Sequence, residues 1–163
     1  MAVTEGAKVE RKYLAHYIDA SFGGATTNYV RLGRDLEEYN IELNPDIETT
    51  ANILGENSVR HNGYEVSGDV DPFYAYYGDP LFTQLATIVN TRATGSDCQT
   101  TVVDVLLGDD GSVVWAYRED VIVTPTSIGG DTSGVQIPFT INYSGNRKAG
   151  TWSTTDNTFT PTP

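Results

Sequence analysis

The alternation of apolar and polar positions predicts β-strands over most of the chain. The clearest case is segment 135–143, in which one face carries Val135, Ile137, Phe139, Ile141 and Tyr143, and the other carries Gln136, Thr140 and Asn142. Pro138 cannot donate to a strand ladder, so this strand is expected at a sheet edge or with a bulge. Further strands are predicted over 29–32, 39–43, 64–70, 101–107 and 112–123.

One segment follows a helical period instead. Apolar residues at Leu81, Leu85, Ile88 and Val89 match the i, i+4, i+7, i+8 pattern of a helix buried on one side. The preceding Asp79-Pro80 step is a helix-start signal, because an Asp oxygen accepts from the free N–H groups of the first turn and proline has no N–H to lose. Asp79 is therefore the predicted helix cap.

These patterns predict a mainly β fold, a sandwich or barrel of about seven strands with one principal α-helix packed on it. At 163 residues the chain fits a single domain, 1–163. Segment 1–28 is mixed in character and is expected to be an N-terminal arm. Segment 151–163 is polar and ends in proline, and is expected to be a flexible C-terminal tail.

A long polar connection, 44–62, separates two of the predicted strands. Loops of this length in compact domains are usually functional or disordered. Ile53 and Leu54 are apolar within it and would be poorly placed in a purely solvated loop. Contact with a partner would explain them, and so would a short internal strand.

The charge balance bears on possible partners. Ten Lys and Arg residues against 22 Asp and Glu residues give a net charge of −12. A surface that grips nucleic acid must be basic, so this composition argues against that function. An acidic surface favours solubility, or it prevents adhesion of something negative that passes close by. With no signal-peptide pattern and no apolar run of membrane length, a soluble protein made in a cytoplasm is expected.

Candidate catalytic chemistry is sparse. His16 and His61 lie in unrelated segments without metal-ligand spacing, and the lone cysteine, Cys98, rules out an internal disulfide. Glu119 and Asp120 are adjacent on a predicted strand and therefore point to opposite faces. We expect no enzyme activity, no metal and no cofactor.

Ten tyrosines are a marked enrichment, and three of them fall within segment 74–77. They are consistent with core packing and strand propensity, or with an interface, because tyrosine offers a large contact area at low entropic cost. An exposed tyrosine cluster also suits sugar stacking. The alternative function is therefore a monomeric β-sandwich module for carbohydrate binding or adhesion.

The motif Ser67-Gly68-Asp69, followed by Gly78-Asp79-Pro80 at a helix entry, resembles the tail tube proteins of long-tailed bacteriophages. These are related to the tube proteins of contractile injection systems and type VI secretion. The resemblance implies a structural virion protein whose six-membered rings stack into the tube through which DNA passes without specific binding. It also implies contacts with the tape measure, tail tip and tail terminator proteins, and no membrane anchor.

The resemblance also implies roles for individual residues. In the predicted strand 64–70, Glu65, Ser67 and Asp69 point away from the core, toward a channel or toward plain solvent. With Gln136, Thr140 and Asn142 they are the expected lumen-facing residues. The 44–62 loop is expected to reach the adjacent ring, with Ile53 and Leu54 as its stacking residues.

Overall fold

The computed structural model describes residues 3–163, which form twelve strands, one α-helix (α1) and two short 3-10 helices at Arg11–Tyr13 and Gly95–Cys98. The elements are β1 (Leu14–Asp19), β2 (Tyr29–Leu32), β3 (Ile41–Glu42), β4 (Pro45–Ala51), β5 (Asn57–Tyr64), β6 (Ser67–Val70), α1 (Pro80–Thr91), β7 (Gln99–Leu107), β8 (Val113–Pro125), β9 (Gly129–Asp131), β10 (Gly134–Gln136), β11 (Phe139–Ser153) and β12 (Thr158–Pro161).

The main sheet has the strand order β2-β1-β7-β8-β11-β6-β3, and β12 pairs with the far end of β11. Its neighbours are antiparallel throughout. The sheet curls into a half-barrel, and the pairs β4–β5 and β9–β10 form two small separate sheets. This confirms the predicted mainly β fold with one principal helix.

The first core lies between α1 and one face of the sheet. Leu81, Leu85 and Ile88 are the buried residues of the helix, as its period predicted. They belong to one cluster with buried side chains of β8 and β11, including Val123 and Ile141. The alternation within β11 therefore identifies the face that meets this core.

A second core lies on the opposite face, toward the other end of the strands. Trp152 stacks on Tyr17 with ring centroids 4.4 Å apart and meets Tyr29 edge-on at 5.5 Å. Val103 and Val105 of β7 complete the cluster, whereas Val102 points into the first core. Because β7 is covered on both faces, its apolar residues are adjacent, at 102–103 and 105–107, and do not alternate with polar ones.

The structure differs from the sequence prediction at both ends of the chain. Residues 14–19, expected in an arm, form β1, a buried strand between β2 and β7. Residues 151–161, expected in a flexible tail, form a hairpin in which Trp152 is 5% exposed. The mixed polarity of β1 misled the prediction because its polar side chains have buried partners, and Trp152 is the single apolar anchor of a polar segment.

Two predicted strands are each divided in two. The strand 64–70 is wrong at its start, since Tyr64 closes β5 and is exposed, and only Ser67–Val70 joins the main sheet. The strand 135–143 breaks at Ile137-Pro138, so that Val135 is exposed in β10 and not in the core. Pro138 explains the second break because it offers no N–H to the ladder.

Candidate assembly surfaces

The β4–β5 hairpin projects from the half-barrel with almost no packing of its own. Its strands pair from Pro45 with Tyr64 to Ala51 with Asn57. Across residues 45–64 no side chain is buried, and all residues but Gly63 are exposed. An isolated two-stranded hairpin is at best marginally stable in water. The hairpin is therefore the segment of the described chain with most to gain from a partner.

The tip of this hairpin holds two apolar side chains in solvent. Ile53 is 102% exposed and Leu54 is 76% exposed. The Asn52 side-chain oxygen accepts hydrogen bonds from the backbone N–H groups of Leu54, at 2.9 Å, and Glu56, at 3.0 Å. The tip is thus shaped by polar contacts, and its apolar side chains are left free to contact another surface. The 44–62 connection is a β-hairpin and not the irregular loop that its polarity suggested.

A polar patch covers the face of β6 and β11 that points away from α1. Asp69 lies opposite Thr140 and Ser67 lies opposite Asn142. The Thr140 hydroxyl donates to Asp69 Oδ1 at 2.8 Å, and Asn142 Nδ2 donates to Thr124 Oγ1 on β8 at 3.2 Å. Four of the six predicted lumen residues therefore form one contiguous surface, here called the polar patch (Ser67, Asp69, Thr140, Asn142).

The other two predicted lumen residues lie outside this patch. Glu65 is exposed in the connection between β5 and β6, where its backbone N–H donates to Asn44 O at 3.3 Å. Gln136 is half-buried in β10, paired with Gly129 of the small sheet. Alternation misplaced both because the strands it assumed to be continuous are interrupted.

A buried polar network crosses the sheet next to the first core. His16 Nδ1 lies 2.7 Å from Asp104 Oδ1, and His16 Nε2 lies 3.1 Å from Arg11 Nη2. Arginine can only donate, so Nε2 accepts and Nδ1–H donates to the carboxylate. The Tyr143 hydroxyl donates to Asp104 Oδ2 at 3.4 Å. Burial raises the pKa of Tyr143, so its hydroxyl stays a neutral donor.

Sequence reasoning treated His16 as an isolated histidine and missed this network. His16 and Asp104 are paired across β1 and β7, although 88 residues separate them in the chain. Arg147 Nη1 extends the network, 3.1 Å from Glu119 Oε1 and 4.0 Å from Asp104 Oδ2. A polar residue within each apolar run was the available signal, but only the strand register shows which of them meet.

The motifs Ser67-Gly68-Asp69 and Gly78-Asp79-Pro80 have separate structural roles. Asp79 is the N-cap of α1, and its Oδ1 accepts from the Leu81 N–H at 3.0 Å. Gly68 lies against the ring of Tyr39, and a Cβ at this position would be 2.5 Å from the Tyr39 hydroxyl oxygen. Glycine is required at position 68 because the aromatic ring occupies the space of a side chain.

Within residues 3–163, no group of three or more His, Cys, Asp and Glu side chains is arranged to hold a metal ion. The same residues include no helix that is long and apolar enough to span a membrane.

No protein-family model matches the chain, and no curated protein matches it by sequence. Among solved structures, the chain is similar to the anti-feeding prophage cap, a tube-terminating cap determined by electron cryomicroscopy. The TM-score is 0.57 at 9% sequence identity, and the match covers 93% of this chain and 96% of that chain. At this identity the similarity shows a shared fold over nearly the whole of both chains.

Proposed function

We propose that this protein is a structural subunit of a phage-type tail, which forms six-membered rings that stack coaxially on a tail tube. The observation that carries the proposal is the exposed β4–β5 hairpin, whose apolar tip has no contact with its own core. The fold shared with a tube-terminating cap supports the proposal, because that protein belongs to a tube assembly.

In this proposal the hairpin joins one ring to the next. Ile53 and Leu54 insert into an apolar surface of the adjacent ring, which removes them from water and stabilises β4 and β5 at the same time. The other tail proteins expected as partners (tape measure, tail tip and tail terminator) meet the ends of the stack.

Ring closure uses the two free edges of the main sheet. β2 and β3 end the strand order at opposite sides, and an edge strand leaves unpaired N–H and C=O groups. Pairing β2 of one copy with β3 of the next removes these edges in a closed ring. The face that carries the polar patch then becomes the lumen wall.

A lumen lined by the polar patch suits the passage of DNA. The carboxylate of Asp69 repeats six times around a ring and repels phosphates, although at physiological salt this repulsion reaches only about 8 Å. DNA would pass without specific binding. The location of the protein would be the virion tail, and its role would be non-enzymatic.

A second candidate in the same class is a tube-terminating cap, favoured by the similarity to one. A cap adds a single ring to an existing tube and does not polymerise by itself. A repeating tube subunit offers matching surfaces on both sides of its ring, so purified protein would form tubes. The length of the assembly separates the two candidates.

The carbohydrate-binding or adhesion alternative finds less support in the tyrosine cluster. The Arg34 guanidinium covers the ring of Tyr76, 3.6 Å from its centroid, and the Tyr76 hydroxyl donates to Asp35. A sugar would have to displace this cation to stack on that face of Tyr76, whereas Tyr77 is exposed. A thermal shift on adding glycans, together with a monomeric state, would favour this alternative.

The stacking role is tested with Ile53→Asp combined with Leu54→Asp. We expect the variant to fold and to form rings. These rings should not stack on one another or on a tube when they are examined by size-exclusion chromatography and negative-stain microscopy. A matched control, Thr154→Asp with Thr155→Asp, places the same charges in the exposed β11–β12 turn and should assemble normally. Normal stacking by the Ile53/Leu54 variant would overturn the proposal.

The lumen role is tested with Asp69→Lys combined with Asn142→Lys, two exposed positions of the polar patch. Six copies of each lysine would hold phosphates in the channel, so tails should assemble while DNA ejection slows. Thr154→Lys with Thr155→Lys in the exposed β11–β12 turn is the control for added charge. Unimpaired ejection, or a ring structure with the polar patch on its outer wall, would reject this assignment.

A further inference from the structure

A basic cavity opens where β2 ends, at one edge of the half-barrel. Its volume is about 390 Å³, and its walls include the cationic side chains Arg11, Lys12, Arg31 and Arg34, together with His16. The whole chain has only ten Lys and Arg residues against 22 acidic ones. Four of the ten therefore gather at one end of a single edge strand in an acidic protein.

Most of these cations have no carboxylate of their own. Lys12 forms an ion pair with Glu10 at 2.9 Å. Among residues 3–163, Arg11, Arg31 and Arg34 form no ion pair within 4.0 Å. Arg11 donates to the carbonyls of Leu14 and Tyr39, at 2.6 and 3.0 Å. These acceptors orient a guanidinium without neutralising it.

Arg31 is held in the same way at the rim of the cavity. Its Nη2 donates to Lys12 O at 2.7 Å, and its side chain is exposed. Arg34 lies over the Tyr76 ring, which leaves its charge in place. Glu37 also lines the cavity, so one carboxylate faces several cations. The net positive charge is oriented and open to an external anion.

The opposite edge of the same sheet is acidic. Glu42 of β3 and Glu65 are both exposed. Asn44 Nδ2 donates to the carbonyl oxygen of Glu65 at 3.0 Å and lies 3.5 Å from that of Glu42, so the two residues are neighbours. The sheet thus carries a basic edge (Arg31, Arg34 and the cavity behind them) and an acidic edge (Glu42, Glu65).

Strand register places Arg31 and Glu42, one residue of each edge, on the same face of the sheet. Residues directly opposite each other on neighbouring strands point to the same face. From the basic edge, Arg31 lies opposite Tyr17, Tyr17 lies opposite Val103, and Val103 lies opposite Arg118 of β8. From the acidic edge, Glu42 lies opposite Ser67, Ser67 lies opposite Asn142, and Asn142 lies opposite Ile122 of β8. Residues 118 and 122 are four apart on one strand and so point to the same side. Arg31 and Glu42 share that side.

We propose that the basic edge binds carboxylates from the acidic edge of a second copy of this chain. Joining β2 to β3 of the next copy brings the two edges together. The inference rests on the proposed ring-forming function and adds that ring closure is electrostatic. The charges also set the orientation of the contact. Two basic edges or two acidic edges repel each other, and only a head-to-tail contact places a basic edge against an acidic one.

The test uses two charge-reversed variants and their mixture. The basic-edge variant is Arg31→Glu with Arg34→Glu, and the acidic-edge variant is Glu42→Lys with Glu65→Lys. Each variant should sediment as a monomer, because its two edges then carry charges of the same sign and repel each other. Mixing them should restore rings, because an alternating ring pairs opposite charges at every junction. Lys8→Glu with Lys148→Glu, two exposed cations away from both edges, should form rings alone.

Each outcome bears on a different claim. If the basic-edge variant forms rings by itself, or if the mixture does not restore them, the inference is overturned while ring formation by the wild type stands. If the wild type itself forms no rings at any salt concentration, the proposed function fails first. Wild-type rings should also dissociate between about 0.1 and 1 M NaCl, over which the screening length falls from about 10 to 3 Å.

Discussion

The β4–β5 hairpin and strand β7 are both regular antiparallel strands, yet they differ in what surrounds them. β7 is covered on both faces by the two cores, with Val102 and Val103 pointing to opposite sides. The hairpin has backbone pairing but no buried side chain over 45–64. Hydrogen-bonded pairing alone does not pack a segment, and any burial of the hairpin has to come from outside the monomer.

This contrast separates stability from assembly within one chain. Substitutions in the half-barrel should change the free energy of unfolding, because they alter buried contacts. Substitutions at the hairpin tip should leave it nearly unchanged and alter association instead.

The largest loss is expected from Leu85→Ala. Leu85 is 0% exposed on the inner face of α1, so truncation leaves a cavity in the first core. Such changes cost about 2–5 kcal/mol of unfolding free energy, measurable by urea denaturation. Asn90→Ala, on the exposed side of the same helix, is the matched control and should cost little. Equal effects of the two substitutions would refute the assigned helix face.

Gly68→Ala is expected to cost about 1–3 kcal/mol, because its methyl group would overlap the Tyr39 ring and force a shift of the buried side chain. Combining it with Tyr39→Phe removes the nearest atom, the hydroxyl oxygen at 2.5 Å, and should recover part of the loss. A fully additive double mutant would show that the close approach is not the cause.

Asp79→Ala should cost about 0.5–2 kcal/mol, because the Leu81 N–H would lose its acceptor at the start of α1. Asp79→Asn retains a capping oxygen and should recover most of the stability. If thermal denaturation finds both variants equal to the wild type, this cap contributes nothing to the fold.

The smallest effect on stability is expected from Ile53→Asp with Leu54→Asp. Both side chains are already in water, so the free energy of unfolding should change by less than about 0.5 kcal/mol. The same variant is the one expected to abolish stacking. If the free energy of unfolding of the monomer fell by more than about 1 kcal/mol, the tip would have to pack against its own chain. The distinction between the hairpin and the half-barrel would then be wrong.

The sequence predicted those parts of the fold in which one residue pattern maps onto one local structure. The helix period of α1, the Asp79 cap and the alternation of β11 after Pro138 each correspond to the structure. The predicted fold class is confirmed because these periods are set by local geometry. The polar patch was largely anticipated for the same reason, through the outward residues of β6 and β11.

The remaining errors come from contacts between distant segments. Nothing near His16 in the sequence indicates Asp104, which is needed for β1 to be buried. Nothing near Trp152 indicates Tyr17, which turns a polar tail into part of the second core. The basic cavity was missed likewise, since Arg11 and Arg31 belong to different segments that only β1–β2 pairing brings together.

The most direct test of the central claim is electron microscopy of the purified wild-type chain, with sedimentation in parallel. The account predicts closed six-fold rings, stacked into tubes for a tube subunit or single for a cap, with the β4–β5 hairpin directed at the adjacent ring. A chain that sediments as a monomer at low and high salt alike, and shows no rings on the grid, would contradict it.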